Sequence, residues 1–489
     1  MGLLKKLASD TALYGASSII GRFLNYLLVP LYTSVFVPGE YGIVTEFYAY
    51  IAFLNILYVM GLETAYFRFS TKGEGNEAAI FNQSQTVVIL ATLIFSGSLI
   101  FYSESIATIL DYPGQGQLIT WIAIILGVDA FAAIPFARLR LQNKPKYFVA
   151  VKLTNIGLNI GLNLFFILLV PSLVQNGSSL SFVNWIYFQQ WGVEYVFISN
   201  LIANAMLLPL LFPVYKSLKP VISIERLKSL LAYSYPFVLS GLAGVTNEML
   251  SRALLKHWLP DSFYGDQSNL AALGVFGACY KLAVFMTLAV QAFRYAAEPF
   301  FFSQAREKDS PVVFANVMKW FVIFGCLIYI LVSINLDIIG WIFLRDKSYH
   351  EGLYIVPYLL LGGLFFGIYY NLSVWFKLTD KTIYGAVLSG AGAVITIVLN
   401  YLLIPKMGYY GSAIAALISY FAMAALSFFI GRRFYKVPYQ VGRIMFYIVF
   451  AGFLVALNKT VYLHTDMSQV ILRVLSLTLF IAVAYRLEK

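Results

Sequence analysis

Residues 117–139 read QLITWIAIILGVDAFAAIPFARL, an apolar run interrupted by Asp129 and, close to its end, by Arg138. About 20 predominantly apolar residues in an α-helix are enough to cross the hydrocarbon core of a bilayer. Lipid offers no hydrogen bonds to an open backbone, so a helix is the natural form for such a run. The stretch therefore predicts a transmembrane helix.

The rest of the chain has the same character. Of its 489 residues, 60% are apolar and 12% are charged, and the mean hydropathy is +0.78. Soluble proteins are about 45–50% apolar and about 25% charged. A soluble chain of this length would need far more polar surface to cover its core. These values exclude a soluble enzyme and predict an all-α polytopic membrane protein.

Metal and cofactor chemistry leaves no signal in the sequence. The two cysteines, Cys279 and Cys326, lie inside apolar runs and lack the spacing of metal ligands. The three histidines, His257, His350 and His464, are scattered along the chain. We therefore expect neither a metal site nor a cofactor.

The apolar runs between polar breaks predict about fourteen transmembrane helices. The break Pro38-Gly39-Glu40 separates the first two of them. The predicted limits are 12–37, 41–68, 80–102, 117–139, 147–171, 190–214, 230–257, 270–302, 311–335, 353–375, 383–405, 411–433, 441–459 and 467–486.

The basic residues orient this layout. Lys and Arg collect in the cytoplasmic loops of membrane proteins. With a cytoplasmic N-terminus, the inner segments hold 22 of the 34 basic residues, the outer segments hold 5, and 7 lie within spans. The net charge of +11 therefore reflects the predicted membrane topology, in which both termini lie in the cytoplasm. Nucleic-acid binding is not expected.

Two six-helix blocks share weak internal similarity. LQNKPKY at 141–147 aligns with LTDKTIY at 378–384 at an offset of 237 residues, and the same offset places Asn163 on Asn400. Transporters built from internal repeats show such self-similarity. The predicted organisation is an N-terminal lobe 1–215 (spans one to six), a cytoplasmic linker 216–229, a C-terminal lobe 230–436 (spans seven to twelve) and two further helices in 437–489.

A set of short motifs follows in order along the chain: Gly21-Arg22, Pro38-Gly39-Glu40-Tyr41-Gly42, Gly61-Leu62-Glu63-Thr64-Ala65 with Arg68, Leu273-Gly274-Val275 with Tyr280-Lys281, and Asn400 ahead of Pro405 and Gly411. Together they resemble the polysaccharide (O-antigen type) flippases of the multidrug/oligosaccharidyl-lipid/polysaccharide (MOP) exporter superfamily. The resemblance implies a transporter that moves an undecaprenyl-diphosphate-linked oligosaccharide from the cytoplasmic to the outer leaflet. Two lobes would rock about a central cavity to expose it to each side in turn.

A diphosphate carried through an apolar region needs cations around it. A charge at membrane depth costs about 2.5–3.5 kcal/mol on insertion scales, so it usually faces the bundle interior. Arg22 lies near the middle of the first span and Lys281 lies in the eighth. We expect these two residues to bind the diphosphate, with Arg252 and Arg294 as further candidates.

Internal ion pairing is the alternative for these cations. It applies above all to Arg252 and Arg294, because Glu248 and Glu298 each lie four residues away on the same helical face. Arg22 and Lys281 have no such neighbour in sequence.

Asparagines are candidates for binding the sugar. Lys152, Asn155, Asn159 and Asn163 are spaced three, four and four residues apart, which puts them on one helical face. Such a polar stripe predicts a cavity wall that binds hydroxyl groups, with Asn25 as an additional member. Hydrogen bonding between helices is the alternative.

Two acids are candidates for ion coupling. Asp129 in the fourth span and Glu46 in the second lie at membrane depth. Either could bind H⁺ or Na⁺ during transport, since burial raises the proton affinity of a carboxylate. Pairing with a basic residue elsewhere in the bundle is the alternative.

Two other functions compete with flipping a lipid-linked glycan. One is cation-coupled multidrug export by the same superfamily. The other is a membrane-embedded glycosyltransferase or polysaccharide polymerase, which would need an acidic residue in an outer loop and a large external domain. The predicted outer loop near 172–189 holds neither acid nor base. We expect a non-enzymatic monomer in the bacterial inner membrane, surrounded by membrane lipid, with a polysaccharide polymerase or glycosyltransferases as candidate partners.

Overall fold

The computed structural model describes residues 15, 19–71, 76–175, 187–188, 191–304, 307, 309–461 and 466–489, and these ranges contain helices and no strands. The all-α prediction is therefore confirmed. The predicted outer loop near 172–189 lies largely outside the described residues.

Local sequence signals set the helix starts in the first half of the chain. Pro38 and Pro145 occupy first turns, where the missing N–H has no intrahelical role. Asn76 caps the helix that follows it by accepting from the backbone N–H of Ala78. The helices are α1 Ile19–Val35, α2 Pro38–Val59, α3 Leu62–Thr71, α4 Glu77–Phe101, α5 Ser103–Ile109, α6 Gly116–Leu141, α7 Pro145–Leu164 with a π-helical turn Phe165–Leu169, α8 Val170–Gln175, α9 Glu194–Ala205 and α10 Leu207–Tyr215.

The second half follows the same rules. Ser268 caps its helix by accepting from the backbone N–H of Ala271. The helices are α11 Ile224–Trp258, α12 Asn269–Leu282, α13 Val284–Gln304, α14 Ser310–Ser333, α15 Leu336–Phe343, a 3₁₀ helix Lys347–Ile355, α16 Val356–Leu372, α17 Val374–Leu378, α18 Ile383–Gly431, α19 Val441–Thr460 and α20 Asp466–Glu488.

Within the described residues, eleven helices are long and apolar enough to cross a membrane, or twelve if the bent pair α12 and α13 is one span. The predicted number was fourteen. One difference is α1, which is apolar but shorter than the others. The second is α18, whose 49 residues would extend roughly 74 Å at 1.5 Å per residue. Its backbone leaves helical geometry at Gly408, where two helices meet at a kink, and the predicted spans 383–405 and 411–433 lie on either side of that kink. The count of fourteen stays a prediction.

Two predicted boundaries are displaced. Residues 38–40 form the first turn of α2 rather than a break, because Pro38 starts the helix. The break between α1 and α2 comes just before this turn, at Phe36 and Val37, and a second interruption at Met60 and Gly61, which both have positive φ, separates α2 from α3. The predicted linker 216–229 overlaps the first turns of α11, which begins at Ile224.

The segment ahead of α11 is held against α4 by hydrogen bonds. Backbone N–H groups of this non-helical segment donate to polar side chains of α4, which explains why an otherwise apolar helix carries buried amides and hydroxyls. The pairs are Lys219 with Asn82 (3.2 Å), Val221 with Thr86 (3.2 Å) and Ser223 with Gln83 (2.8 Å).

The chain forms two compact units. The first comprises the described residues up to Phe36 together with Ile43–Val245, and the second comprises Val37–Gly42 and Thr246–Lys489. The division falls inside α11 rather than within 216–229. The functional lobes 1–215 and 230–436, with the extra helices of 437–489, stay a prediction.

Each unit has its own aromatic core. In the first unit, Phe136 of α6 and Phe148 of α7 pack with ring centroids 5.2 Å apart. In the second, Phe301 of α13 and Phe314 of α14 pack at 5.0 Å. Large apolar side chains also cover the outside, such as Phe101, which is 80% exposed. An apolar exterior of this kind is the surface expected of helices that face lipid.

A buried ion pair ties α20 to α14. Lys319 and Glu488 pair with side chains that are only 9% and 4% exposed. The hydroxyl of Tyr447 donates to the same carboxylate at 2.8 Å, and Arg443 lies 3.6 Å from it. The last helix is therefore anchored by charge as well as by packing.

Candidate functional site

Arg252 and Lys281 are neighbours in the second unit. Arg252 lies on α11 and is buried, Lys281 lies at the end of α12, and their positive charges repel each other. The guanidinium of Arg252 lies over the ring of Tyr280, 4.2 Å from its centroid. The carboxylate of Glu248 is also close enough for its charge to act on Lys281. The two cations among apolar helices form a place where a further anion can be stabilised.

The alternative in which Arg252 pairs with the carboxylate of Glu248 is not realised. Arg252 donates through Nη2 to the backbone carbonyl of Glu248 at 2.9 Å. No carboxylate of the described residues lies within ion-pair distance of its guanidinium, and its buried Nε has no hydrogen-bond partner there. A guanidinium has five N–H donors, so Arg252 retains donors for a ligand.

Arg294 occupies a different setting. Its side chain is exposed, its Nη1 donates to the hydroxyl of Tyr370 at 3.0 Å, and its guanidinium lies over the same ring. Arg294 and Lys377 line a cavity of only about 20 Å³. The side chain of Glu298, its predicted partner, lies outside the described part of the structure.

Arg22 and Asn25 lie on the exposed side of α1 in the first unit. The other side of this helix packs on α7, where Gly21 leaves room for the side chain of Ile156. Within the described residues, Arg22 makes no ion pair and no hydrogen bond. Its predicted role in binding diphosphate stays a prediction.

Most of the asparagine stripe on α7 is used to join helices. Asn155 donates through Nδ2 to the backbone carbonyl of Ala203 at 2.8 Å and to Oδ1 of Asn204 at 3.0 Å. Asn163 donates to the backbone carbonyl of Asn159 at 2.7 Å and accepts from Tyr32 at 2.8 Å. These contacts fit the alternative of interhelical bonding.

Asn159 differs from its neighbours in the stripe. Its side-chain oxygen accepts from Asn163 at 3.2 Å, but its NH₂ group makes no hydrogen bond within the described residues. Of the asparagines on this helix, it is the one with donors left for a hydroxyl group.

Asp129 lies in the same network. Asn204 of α9 donates through Nδ2 to its Oδ1 at 3.0 Å. Lys152 of α7 is close enough for its charge to act on Asp129, but the two side chains do not form a direct ion pair. Lys152 instead lies over the ring of Phe136, 4.5 Å from its centroid. The predicted sugar stripe and the predicted coupling acid are thus parts of one polar cluster.

Glu46 is fully buried and hydrogen-bonded to tyrosines. Tyr50 donates to its Oε1 at 2.8 Å, and Tyr112 donates to its Oε2 at 2.5 Å. These partners are phenolic hydroxyls, whereas the predicted alternative was a basic residue. Tyr112 lies in the loop after α5, where burial and the Glu46 charge raise the pKa of its phenol, so it stays a donor at neutral pH.

Asn163 and Asn400, which the internal repeat aligns with each other, have equivalent environments. Asn163 and Asn400 are both fully buried, and each donates through Nδ2 to the carbonyl four residues earlier. Each also accepts at Oδ1 from a hydroxyl, from Tyr32 at 2.8 Å and from Ser251 at 2.9 Å. The shared pattern supports a structural repeat.

The sequence did not single out the tyrosines that complete these clusters. Tyr50 could have been found, because it follows Glu46 by four residues on one helical face. Tyr112 and Tyr48, which accepts from Asn200 at 2.8 Å, are brought in by tertiary packing and carry no local signal.

No protein-family model and no curated protein sequence matches the chain. Solved structures do match it. The lipid II flippase MurJ in an inward closed conformation aligns with a TM-score of 0.67 at 15% identity, over 97% of this chain and 99% of that chain. An inward-facing multidrug resistance MATE family transporter of the MOP superfamily aligns at 0.61 and 14% identity, over 90% and 96%. A mutant of the Vibrio cholerae MATE transporter VcmN aligns at 0.58 and 13% identity, over 88% and 97%.

The chain has the fold of the MOP-superfamily transporters. The match extends over almost the whole chain. It does not show which kind of substrate is moved, because at 13–15% identity the alignment shows the fold alone.

Proposed function

We propose that the chain is a membrane transporter that flips a polyprenyl-diphosphate-linked oligosaccharide from the cytoplasmic to the outer leaflet by alternating access. The observation that carries this proposal is the similarity to the lipid II flippase MurJ over 97% of this chain. The multidrug transporters align over about 90%. A fold match of this length favours a lipid-linked substrate.

The chemistry of the second unit supports an anionic substrate. Arg252 and Lys281 combine a planar donor fork with a point charge, the two forms in which proteins bind phosphate. Arg252 has unused donors, and Tyr280 holds its guanidinium in place. Arg22, Asn25 and Asn159 have side-chain donors without a hydrogen-bond partner among the described residues, and we propose that they face the substrate pathway.

The charge distribution supports the orientation. We propose a monomer in the bacterial inner membrane with both termini in the cytoplasm, because that orientation puts 22 basic residues inside and 5 outside. The protein would act as a transporter rather than an enzyme, beside the polymerase or glycosyltransferases that use the same glycan.

Multidrug export is the second candidate, favoured by the MATE transporters among the structural neighbours. Its coupling ion would bind at Asp129 or Glu46. Complementation of a bacterium that lacks its own polysaccharide flippase separates the two candidates. We expect surface polysaccharide to return and drug susceptibility to stay unchanged. A chain that confers drug resistance without restoring polysaccharide would contradict the flippase proposal.

The Arg252→Gln/Lys281→Gln variant tests the site in the same assay. We expect it to lose polysaccharide export at normal membrane levels. The matched control is Arg345→Gln, which removes an exposed cation outside the proposed pathway. Unchanged export in the double variant would show that these cations do not bind the diphosphate.

A further inference from the structure

The second unit contains a cavity that the proposed transport pathway does not use. It has a volume of about 530 Å³ and lies among α14, α15, α16, α19 and α20. Pockets for small ligands have volumes of about 300–1,000 Å³. The predicted topology places this end of the helices on the outer side of the membrane.

Three residues that line this cavity each have a buried polar atom with no hydrogen-bond partner in the described part of the chain. These atoms are Oδ1 of Asn458, Nε of Arg473 and Oγ of Ser333. Asn458 is 9% exposed, and its NH₂ group is already used by Leu454 and Ser476. Because buried polar groups are normally hydrogen-bonded, atoms of both donor and acceptor type that remain free indicate a polar ligand.

The charges in the cavity favour an anion that also carries hydrogen-bond donors. Arg473 and Lys459 supply two positive charges against the one negative charge of Asp337. Arg473 pairs with Asp337 at 2.7 Å. Lys459 is exposed at the cavity and makes no ion pair with any described residue. A phosphate group fits the cations, and hydroxyl or ammonium groups beside it fit Asn458 and Asp337.

The remaining wall of the cavity is apolar. Ile338, Val455 and Val470 line it, and Ile338 and Val470 are also exposed on the outer face of the bundle. A ligand in this position meets charged groups on one side and an apolar, lipid-facing surface on the other. A free ion would use the first side only, whereas an amphipathic molecule uses both.

We propose that this cavity, formed by α14, α15, α16, α19 and α20, binds the phosphate headgroup of a membrane phospholipid. Lys459 and Arg473 bind the phosphate, Asn458 accepts from the headgroup, and the acyl chains leave over Ile338 and Val470. The site is distinct from the proposed diphosphate site at Arg252 and Lys281 and does not depend on the transported substrate.

Native mass spectrometry of the detergent-purified chain tests the proposal. Delipidated protein is titrated with phosphatidylglycerol, and inorganic phosphate is titrated in a separate arm. We expect the wild type to retain the lipid and Lys459→Gln to bind it about fivefold more weakly, as one cation near a lipid surface contributes about 1 kcal/mol. Asn458→Leu and Arg473→Gln should weaken it as well.

The control is Lys406→Gln, which removes an exposed cation that is predicted to lie on the same side but is not part of the cavity. Arg473→Gln also breaks the pair with Asp337, so Lys459→Gln, which breaks no ion pair between described residues, is decisive. Equal lipid retention in Lys459→Gln and the wild type would overturn the proposal. Inorganic phosphate that displaces the lipid at equal concentration would show a site for free phosphate, and this also overturns the proposal.

Discussion

Gly42 and Gly274 lie where the first turns of α2 and α12 meet, and neither position has room for a side chain. A Cβ on Gly274 would overlap the carbonyl oxygen of Pro38 and come within 3.0 Å of the backbone nitrogen of Gly42, and a Cβ on Gly42 would overlap the carbonyl oxygen of Leu270. Gly42 and Gly274 are 232 residues apart, and each would contact the carbonyl oxygen of the residue four positions before the other glycine. Such reciprocity is typical of a two-fold contact between equivalent segments, and it explains why both positions are occupied by glycine.

Substitution of either glycine should therefore destabilise the protein. We expect Gly42→Ala and Gly274→Ala to cost about 1–3 kcal/mol each, as overpacking of a tight contact does. The measurement is the thermal unfolding of the detergent-solubilised protein. Gly39→Ala is the control, because a Cβ at Gly39 meets nothing within 4 Å. Equal unfolding temperatures of Gly39→Ala and Gly274→Ala would contradict the close contact.

Neutralising Arg252 and neutralising Glu248 should have different effects on polysaccharide export. Arg252 uses the backbone of Glu248 and not its carboxylate, so Glu248→Gln should leave the guanidinium in place. We expect Glu248→Gln to retain polysaccharide export, while Arg252→Gln loses most of it. Export and membrane level are measured together. Loss of export in both variants to the same degree would indicate that the two residues act as an ion pair.

Asp129 can be tested for a role beyond structure. Asp129→Asn keeps the oxygen that accepts from Asn204 but removes the charge, so we expect normal thermal stability and loss of transport if the carboxylate couples to an ion. Asn204→Leu leaves a buried carboxylate without its donor and should cost about 1–3 kcal/mol of unfolding free energy. Transport by Asp129→Asn at the wild-type rate would rule out coupling through this acid.

The pair between Lys319 and Glu488 predicts an asymmetric response to mutation. Glu488→Gln leaves Lys319 buried without a counter-charge, and removing one partner of a buried pair costs about 3–5 kcal/mol. The double variant Lys319→Met/Glu488→Met removes both charges and should unfold at a higher temperature than Glu488→Gln alone. A double variant less stable than Glu488→Gln would show that the charges themselves stabilise the junction of α20 with α14.

The sequence predicted the helices well because each is encoded locally. An apolar run such as 117–139 has to form a helix in lipid wherever it lies, and the structure has α6 at Gly116–Leu141. The ends of the helices were harder to predict where one residue type can either end a helix or begin one. Pro38 can break a helix or start one, and only the three-dimensional structure shows that it starts α2.

The candidate site was predictable in part. Apolar surroundings made the intramembrane charges conspicuous, so Arg252, Lys281, Asp129 and Glu46 could be singled out from the sequence. Their partners could not. Tyr280 and Asn204 are common residue types in such helices, and Tyr112 lies in a loop 66 residues away from Glu46, which it contacts only in the folded chain.

The sequence by itself determined that the chain is a helical membrane protein, which segments are apolar and where its few charges lie, because lipid imposes these properties on each segment separately. The tertiary structure decided which polar groups meet. In the folded chain, most of the asparagine stripe makes contacts between helices, and Arg252 donates to a backbone carbonyl. Asn458 and Arg473, which line a cavity, each keep a polar atom without a hydrogen-bond partner among the described residues. A hydrogen bond between helices depends on atomic distances across the bundle, and residue spacing along one helix does not contain them.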